Sequence, residues 1–443
     1  MAAICNLCTT MNKFTFIIQL QVTALMVLCL SIHQASAIEP DIPGVEYRNK
    51  VYAPHIHSVR MLLGDWEASY PVMELHSDVG LVFGFDDLDA GMKYYYYTII
   101  HCNSNWTPSD LQYFEYATGF AENAVEDISS SRNTLIPYTH YSIEIPNNDV
   151  QLNYSGNYLL VVYTDDGEKK PIVTQRFMLY ENKIPIDAAV YQPTGSEYNT
   201  GQKIGLVLNR RNYPLFDPTS ELNVTIMQNN QWDSRLDNLQ PTFMNASELV
   251  YDYEDKQMFK GLNEYRYFSV RNLKILSERV QSIDFKNPYY VVTLFPESAA
   301  FFDKYTSRED VNGHYVIKSD LHSVIDENTD ADYVLLRFIL KSNKLPDNQE
   351  VYVFGALSQW ELSEYCCMKY NPEIKAYELL LMLKQGYYNY RYVIKENELS
   401  DAVFFEASHW QTENDYQIFV YHNDISARYQ RLVGYRKINS RNR

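Results

Sequence analysis

Two stretches of the chain decide its fold: KYYYYTIIH from Lys93 to His101, and YYNYRYVI from Tyr387 to Ile394. Both are short, rich in aromatic and β-branched residues, and bounded by turn residues, which is the pattern of a β-strand. Further runs of this kind are Gly80 to Phe85, Tyr158 to Thr164, Ile204 to Asn209, Asn223 to Gln228, Tyr289 to Phe295, Tyr333 to Leu340, Val351 to Gly355 and Tyr377 to Leu383. Helical periodicity is weak, and only the stretch after Pro108 predicts a short helix. The sequence therefore predicts an all-β fold of tandem immunoglobulin-like β-sandwich domains.

The length and the punctuation of the chain predict its division into domains. The 443 residues are 46% hydrophobic, which is enough for several cores at roughly 100 to 200 residues per domain. Turn-rich or polar stretches at Glu181 to Pro185 and at Ser319 to Asp332 separate three units. The predicted segments are a signal peptide at 1–37, a sandwich at 38–182, a second at 183–325 and a third at 326–443.

Charge and aromatic content limit the function. The chain has 38 Lys and Arg against 56 Asp and Glu, a formal net charge of −18, so nucleic acid is not an expected partner. Tyrosine is unusually common, with 39 Tyr against 20 Phe. A ring with a polar hydroxyl suits half-wet strands and interfaces, so we expect protein–protein contacts.

The first 37 residues have the features of a secretory signal. They contain an apolar run from Phe14 to Leu30, followed by the small residues Ala35, Ser36 and Ala37. We expect cleavage after Ala37; an uncleaved anchor helix is the alternative. No later run reaches the 18 apolar residues of a membrane helix, so we expect an exported chain that does not span a membrane.

Cysteine usage predicts no disulfide scaffold. After the signal only Cys102, Cys366 and Cys367 remain, and neighbouring cysteines pair only with strain. A bridge from Cys102 to one of the other two stays open as a hypothesis.

Two clusters have residue types that bind metals. His55 and His57 would lie on one face of a strand, and Asp86, Asp87 and Asp89 before Gly91 resemble the start of a calcium loop. The histidine pair lacks a third ligand, and the acidic loop lacks the bidentate Glu at its twelfth position. We interpret them as surface histidines and a solvated turn, and predict no metal site.

The chain shows no pattern that indicates catalysis or a cofactor. Phosphate-binding glycine loops, the serine-hydrolase elbow and the zinc-protease motif are all absent from the sequence. His101 and Cys102 are a tempting thiol–imidazole pair, but neighbouring residues of a strand point to opposite faces. We predict a non-enzymatic protein without a cofactor.

Several motifs in order resemble one family. They are YYYYTIIHCNSNWTPSDLQYFEYATGF (Tyr94 to Phe120), SSSRNTLIPYTHYSIEIPN (Ser129 to Asn147), SGNYLLVVY (Ser155 to Tyr163), MQNNQWD (Met227 to Asp233), FKGLNEYRYFSVRNL (Phe259 to Leu273) and ARYQRLVGYRKINS (Ala427 to Ser440). Together they resemble the plug protein family of the type IX secretion system of Bacteroidetes. The resemblance implies a periplasmic protein, peripheral to the outer membrane, that binds and seals the giant outer-membrane translocon β-barrel when it is not exporting.

The resemblance suggests residues that bind this partner. The basic residues Arg428, Arg431, Arg436 and Lys437 are candidates for binding an acidic rim of the barrel. Trp106, Trp232 and the segment Asn263 to Arg266 either shape the docking surface or maintain the fold. We favour fold maintenance, with Glu264 paired to Arg266 on one strand face.

The third unit suggests an alternative function. VYVFGALSQWE (Val351 to Glu361) and AYELLLMLKQGYYNYRYVI (Ala376 to Ile394) resemble the sandwich of glycogen-binding and isoamylase N-terminal modules. This nominates Trp360 for stacking on sugar in a glycan-binding protein, although we favour Trp360 as a packing residue. An exported glycoside hydrolase is a third possibility, carried only by the sandwich likeness and the abundant acids.

Overall fold

Strands dominate the fold, as the sequence predicts. The structure, a computed structural model, describes residues 42–89, 91–300, 304–320, 324–397, 399–424 and 426–441. The predicted signal peptide at 1–37 lies outside these residues. Every run predicted as a strand lies on an observed strand, which confirms the all-β sandwich class. Among the described residues, no helix has the length and hydropathy needed to cross a membrane.

The first unit is a sandwich of two sheets around one apolar core. Its strands are β1 (Lys50–Val51), β2 (Ile56–Leu63), β3 (Val72–Glu74), β4 (Leu81–Asp87), β5 (Tyr95–Cys102), β6 (Ala117–Gly119), β7 (Asn123–Ala124), β8 (Asp127–Ser130), β9 (Thr139–Ile145), β10 (Val150–Leu152), β11 (Gly156–Thr164) and β12 (Pro171–Tyr180). One sheet has the order β2-β4-β9-β8; the other has the order β1-β12-β11-β5-β7, with β3 also on β12. Alternate side chains such as Phe83, Tyr141 and Leu160 fill the space between them.

The second unit begins with a sheet of short strands. These are β13 (Ile186–Tyr191), β14 (Gly201–Asn209), β15 (Leu222–Gln228), β16 (Phe243–Met244), β17 (Glu248–Tyr251) and β18 (Met258–Lys260). The sheet has the order β13-β14-β17-β16, and β18 also pairs with β14. β15 is not part of this sheet; it belongs to a second sheet, described below.

The third unit is a sandwich built around the long strand β28. Its strands are β19 (Arg266–Ser269), β20 (Val280–Lys286), β21 (Tyr289–Leu294), β22 (Glu297–Ser298), β23 (Tyr315–Ile317), β24 (Tyr333–Lys341), β25 (Gln349–Phe354), β26 (Lys369–Asn371), β27 (Ala376–Lys384), β28 (Gly386–Glu396) and β29 (Leu399–Asp401). One sheet has the order β20-β21-β24-β27-β26, with β22 also on β24. In the other, β28 pairs with β19, β23, β25 and β29.

Short helices connect the strands. They are α1 (Tyr113–Tyr116), α2 (Pro218–Glu221) and α3 (Glu327–Asp330), together with 3-10 turns at Gly195–Glu197, Trp232–Ser234, Ala356–Ser358 and Glu364–Cys366. The helix predicted after Pro108 corresponds to α1 and is a single turn. In α2, Asp217 caps the first turn by accepting a hydrogen bond from the backbone N–H of Thr219.

The chain returns to the second unit after the third is complete. β30 (Asp415–His422) and β31 (Arg431–Asn439) form a sheet with β15, and seven residues of β30 pair with Leu222–Gln228. The third unit is therefore inserted into the second. This arrangement differs from the predicted boundaries, because 266–317 belong to the third core and 415–439 complete the second.

The first and second sandwiches are stacked face to face, so that four sheets enclose three apolar layers. In β11, Leu160 points into the first core and Leu159 points into the layer between the sandwiches. In β30, Ile418 points into the second core and Phe419 points into the same middle layer. Strands buried on both faces have continuous apolar runs, which explains SGNYLLVVY and YQIFVYH.

Many of the tyrosines are buried in the apolar cores. Most of the largest fully buried side chains are tyrosines, among them Tyr116, Tyr158 and Tyr388. Their hydroxyls donate to backbone carbonyls, as Tyr158 does to Tyr154 at 2.7 Å and Tyr388 does to Lys384 at 2.6 Å. A buried tyrosine whose hydroxyl is satisfied keeps its apolar gain without a desolvation penalty, so the excess of Tyr serves packing.

Candidate functional site

His101 is a packing residue with a defined tautomer. Its Nε2 lies 3.3 Å from the carbonyl oxygen of Ser155, and its Nδ1 lies 2.8 Å from Ser109 Oγ. Since a carbonyl only accepts, Nε2 carries the proton and Nδ1 accepts from Ser109. Burial lowers the pKa of His101 to about 4, so the ring is neutral at pH 7. Cys102 points to the opposite face, where its thiol donates to the Ile100 carbonyl at 3.7 Å, so the two side chains do not form a catalytic pair.

The side chain of Lys93 contacts the acidic turn that resembles a calcium loop. Lys93 Nζ lies 3.0 Å from Asp87 Oδ2 and 2.9 Å from Asp89 Oδ2. His55 joins the same cluster, with ring nitrogens 4.0 Å and 3.6 Å from the two carboxylates. The ammonium group of Lys93 therefore places a positive charge beside the carboxylates of Asp87 and Asp89, as a bound metal cation would. Both parts of this cluster are visible in the sequence, but their proximity depends on the pairing of β2 with β4, which no local pattern indicates.

A buried ion pair joins the first and third units. The carboxylate of Asp86 on β4 accepts hydrogen bonds from Lys384 Nζ at 2.7 Å and from Tyr333 Oη at 2.6 Å. His140 Nδ1 lies 2.6 Å from the same carboxylate. Asp86 is fully buried and the Lys384 side chain is 2% exposed. Burial opposes ionisation, but the charge of Lys384 and the hydrogen bonds from His140 and Lys384 outweigh it and lower the pKa of Asp86 to about 2.

Further side-chain contacts around this ion pair connect the first and third units. Lys384 Nζ lies 4.2 Å from the centre of the Tyr138 ring, and the Tyr138 hydroxyl donates to the Ala331 carbonyl at 2.8 Å. Asp332 accepts from the backbone N–H of Leu135 at 2.8 Å. We call Asp86, Lys384, Tyr333, His140 and Tyr138 the interlock. Its two halves come from segments far apart in sequence, and no pattern in either segment indicates that the two meet.

Trp106 and Trp232 lie in the middle layer between the first and second units. Their rings meet edge to face, with centroids 5.1 Å apart and an interplanar angle of 90°. The guanidinium of Arg176 lies 4.4 Å from the centre of the Trp106 ring, and its Nε donates to the Tyr47 carbonyl at 2.8 Å. Burial lowers the pKa of Arg176 to about 10. Both tryptophans are buried, which agrees with fold maintenance.

The expected pair between Glu264 and Arg266 does not form. Arg266 Nε instead donates to Glu406 at 2.9 Å, and its guanidinium lies 3.3 Å from Glu297. The reason is that β19 begins at Arg266, so Glu264 precedes the strand and the two do not share its face. Glu264 accepts from Tyr305 Oη at 2.6 Å, and burial raises its pKa to about 7.

Three of the four basic residues predicted to bind a partner are already paired within the chain. Arg431 forms an ion pair with Glu181 at 2.7 Å, Lys437 with Asp415 at 3.1 Å, and Arg428 with Glu115. Arg436 is exposed, and no ion pair joins it to an acid within the described ranges. Arg428 is also exposed, so Arg436 differs from it in lacking an ion pair within the described ranges. Binding of an acidic partner by these four residues stays a prediction.

Trp360 packs at the junction of the first and third units. Its ring centroid lies 5.4 Å from that of His314 and 6.0 Å from that of Phe354. His314 in turn lies 4.9 Å from Tyr70 of the first unit. A Cβ on Gly313 would lie 2.6 Å from the Trp360 ring, so the contact is tight. This placement favours the packing interpretation over a sugar-stacking role.

Comparisons with known proteins agree with this architecture. The model of the type 9 secretion system plug protein, first domain, matches residues 56–181, which lie within the first sandwich. A crystal structure of a hypothetical protein from Parabacteroides merdae is 32% identical, with a TM-score of 0.86; the alignment covers 89% of this chain and 100% of that chain.

One further structural match is too weak to indicate a shared fold. Dimeric latent PorU from Porphyromonas gingivalis is 8% identical, with a TM-score of 0.14 over 86% of this chain and 34% of that chain. No protein of curated function matches the chain. The Parabacteroides merdae structure shows the same fold over 89% of the chain, and the family model identifies the first sandwich: the chain belongs to the plug protein family of the type 9 secretion system.

Proposed function

We propose that this chain is a non-enzymatic periplasmic plug that binds the mouth of the type IX outer-membrane translocon barrel and blocks it sterically. The observation that carries the proposal, beside family membership, is that the three units form one solid body. The first and second share an apolar layer, and the interlock joins the first to the third.

A steric seal requires a body that does not open under thermal motion. Domains that share only a small, polar interface move relative to each other, whereas a large apolar interface holds them in one arrangement. Here Leu159 and Val161 of β11 belong to one buried apolar cluster with Phe419 and Tyr421 of β30. Close-packed interiors have low compressibility, so the stack would close a pore without yielding.

The proposal is tested by measuring leakage through the outer membrane of the native host. Deleting the gene for this chain should admit large antibiotics that the outer membrane excludes, and a plasmid copy should restore exclusion. Deleting the barrel as well should abolish the leak, because the open pore is then gone. A leak that persists without the barrel, or no leak in the single deletion, would contradict the proposal.

A charge reversal tests the contact surface. Arg436→Glu should weaken recovery of the barrel with a tagged copy of this chain, since Arg436 is exposed and no ion pair joins it to an acid among the described residues. Lys274→Glu makes the same charge change at an exposed position of the third unit and should leave recovery unchanged. Equal recovery with both variants would remove Arg436 from the interface.

A further inference from the structure

A cleft of about 580 Å³ separates the first and third units. One wall consists of residues 48–54 and 56–59 of the first unit; the other includes Tyr315 and residues 356–359 and 361–365 of the third unit. The volume falls within the roughly 300 to 1,000 Å³ that ligand sites occupy. Ser58 in the first wall shares a hydrogen bond of 2.6 Å with Tyr333 of the interlock, so the interlock lies beside the cleft and connects its two walls.

The first wall is the free edge of a β-sheet. β1 is the terminal strand of its sheet and pairs with β12 on one side only. The backbone N–H of Tyr52 donates to the Ile172 carbonyl at 2.9 Å. In this antiparallel ladder Tyr52 therefore forms a hydrogen-bonded pair with Ile172, and Lys50 forms the next such pair with Thr174. Bonding alternates along such a ladder, so the N–H and C=O of Val51 point away from β12 towards the cleft.

The opposite wall offers apolar surface. Tyr315, Leu357 and Leu383 line the cleft beyond the β1 edge. The rims have both signs of charge, with Arg48 on the first unit 3.7 Å from Glu361 on the third. Within the described residues, no strand pairs with the outer edge of β1. An occupant must therefore offer backbone donors and acceptors to one wall and apolar side chains to the other.

We propose that this cleft binds an extended polypeptide segment, which adds to the sheet beside β1 and places apolar side chains, at alternate positions, against the third unit. Only an extended backbone meets the outward groups of Val51 at the spacing of a β-ladder. The contribution of the third unit explains why the site needs two units in a fixed relation. The proposal is independent of the seal, because the cleft is a second binding surface whose occupant is a peptide.

The test uses the mature chain and a phage-displayed library of short random peptides, followed by fluorescence anisotropy on the enriched peptides. Enriched peptides should carry apolar residues at alternate positions. Val51→Pro deletes the outward N–H and places the proline ring towards the incoming strand, while the β1–β12 ladder needs no N–H at this position. It should weaken binding at least about tenfold, whereas Val51→Ala, which keeps the N–H, should bind within about threefold of the wild type.

Hydrogen exchange on the wild-type chain decides the result even if Val51→Pro fails to fold. The bound peptide should slow exchange in the segment that includes residues 49–53. Failure to enrich any peptide, equal binding to Val51→Pro and Val51→Ala, or peptides that leave this segment unprotected would overturn the proposal. Binding of a soluble oligosaccharide that displaces the peptide would also overturn it, in favour of a glycan.

Discussion

Lys384→Met should be one of the most damaging single substitutions in the chain. It removes the ammonium group 2.7 Å from Asp86 and leaves a fully buried carboxylate with only Tyr333 and His140 as partners. Breaking a buried ion pair from one side costs roughly 3–5 kcal/mol, because the remaining charge is desolvated without compensation. Lys170→Met removes an exposed ion pair with Glu168 and should leave the free energy of unfolding nearly unchanged.

A double-mutant cycle separates the pair from its surroundings. Asp86→Asn alone leaves the Lys384 ammonium buried, but Asp86→Asn with Lys384→Met leaves no uncompensated charge. The double variant should therefore be less destabilised than the sum of the singles, by about 2–3 kcal/mol. Urea unfolding followed by intrinsic fluorescence at pH 7 measures all three. An additive cycle, or a Lys384→Met cost equal to that of Lys170→Met, would refute the interlock.

The pH dependence gives an independent check on the same group. The folded pKa of Asp86 is about 2, below the ordinary value of 3.8, so its ionised form is stabilised by folding. This stabilisation is complete above about pH 4 and is lost as the pH falls towards 2. The difference between the two pKa values corresponds to roughly 2 kcal/mol of unfolding free energy. The free energy of unfolding of Asp86→Asn should not show this loss as the pH falls from 4 towards 2.

Three further substitutions test the packing and the buried acid. Trp106→Ala should cost about 3–5 kcal/mol in urea unfolding, and Trp66→Ala, at an exposed ring, less than about 1 kcal/mol; equal costs would contradict the middle layer. Gly313→Ala should lower the melting temperature more than Gly91→Ala. Both glycines have a positive φ, but only at Gly313 would the added Cβ lie 2.6 Å from the Trp360 ring. The pKa of Glu264, raised to about 7, means that stability falls as the pH rises from about 4.5 to 7. Glu264→Gln should abolish this fall and be more stable at pH 8 by roughly 3 kcal/mol; an unchanged pH profile would contradict the raised pKa.

The strands could be predicted because their signal is local. KYYYYTIIH contains its own β-propensity and its own boundaries, and it became β5 (Tyr95–Cys102). The opposite orientation of His101 and Cys102 followed from the same local periodicity. The family resemblance also came from short motifs, each contained within a few strands.

Long-range pairing could not be predicted in the same way. The pairing of Leu222–Gln228 with Tyr416–His422 depends on which faces remain apolar once the other sheets have formed. One available signal was the continuous apolar run of YQIFVYH, which indicates a strand buried on both faces. Asp86 and Lys384 gave no such signal, because a single buried charge looks like a surface charge in sequence. The ion pairs of Arg428 and Arg431 could not be predicted for a similar reason, since their acidic partners Glu115 and Glu181 come from distant segments.

The insertion of the third unit into the second imposes an order on biogenesis. A ribosome makes β13 to β18 first, but the strands that cover their apolar face, β30 and β31, are made only after the whole third sandwich. During that interval the nascent second unit exposes an uncovered sheet, as does the outer face of β11 in the first unit. Such surfaces are bound by holdase chaperones and attacked by proteases. A chain interrupted before β30 therefore lacks two of the three strands that pack on the β13-β14-β17-β16 sheet, and its second core stays open.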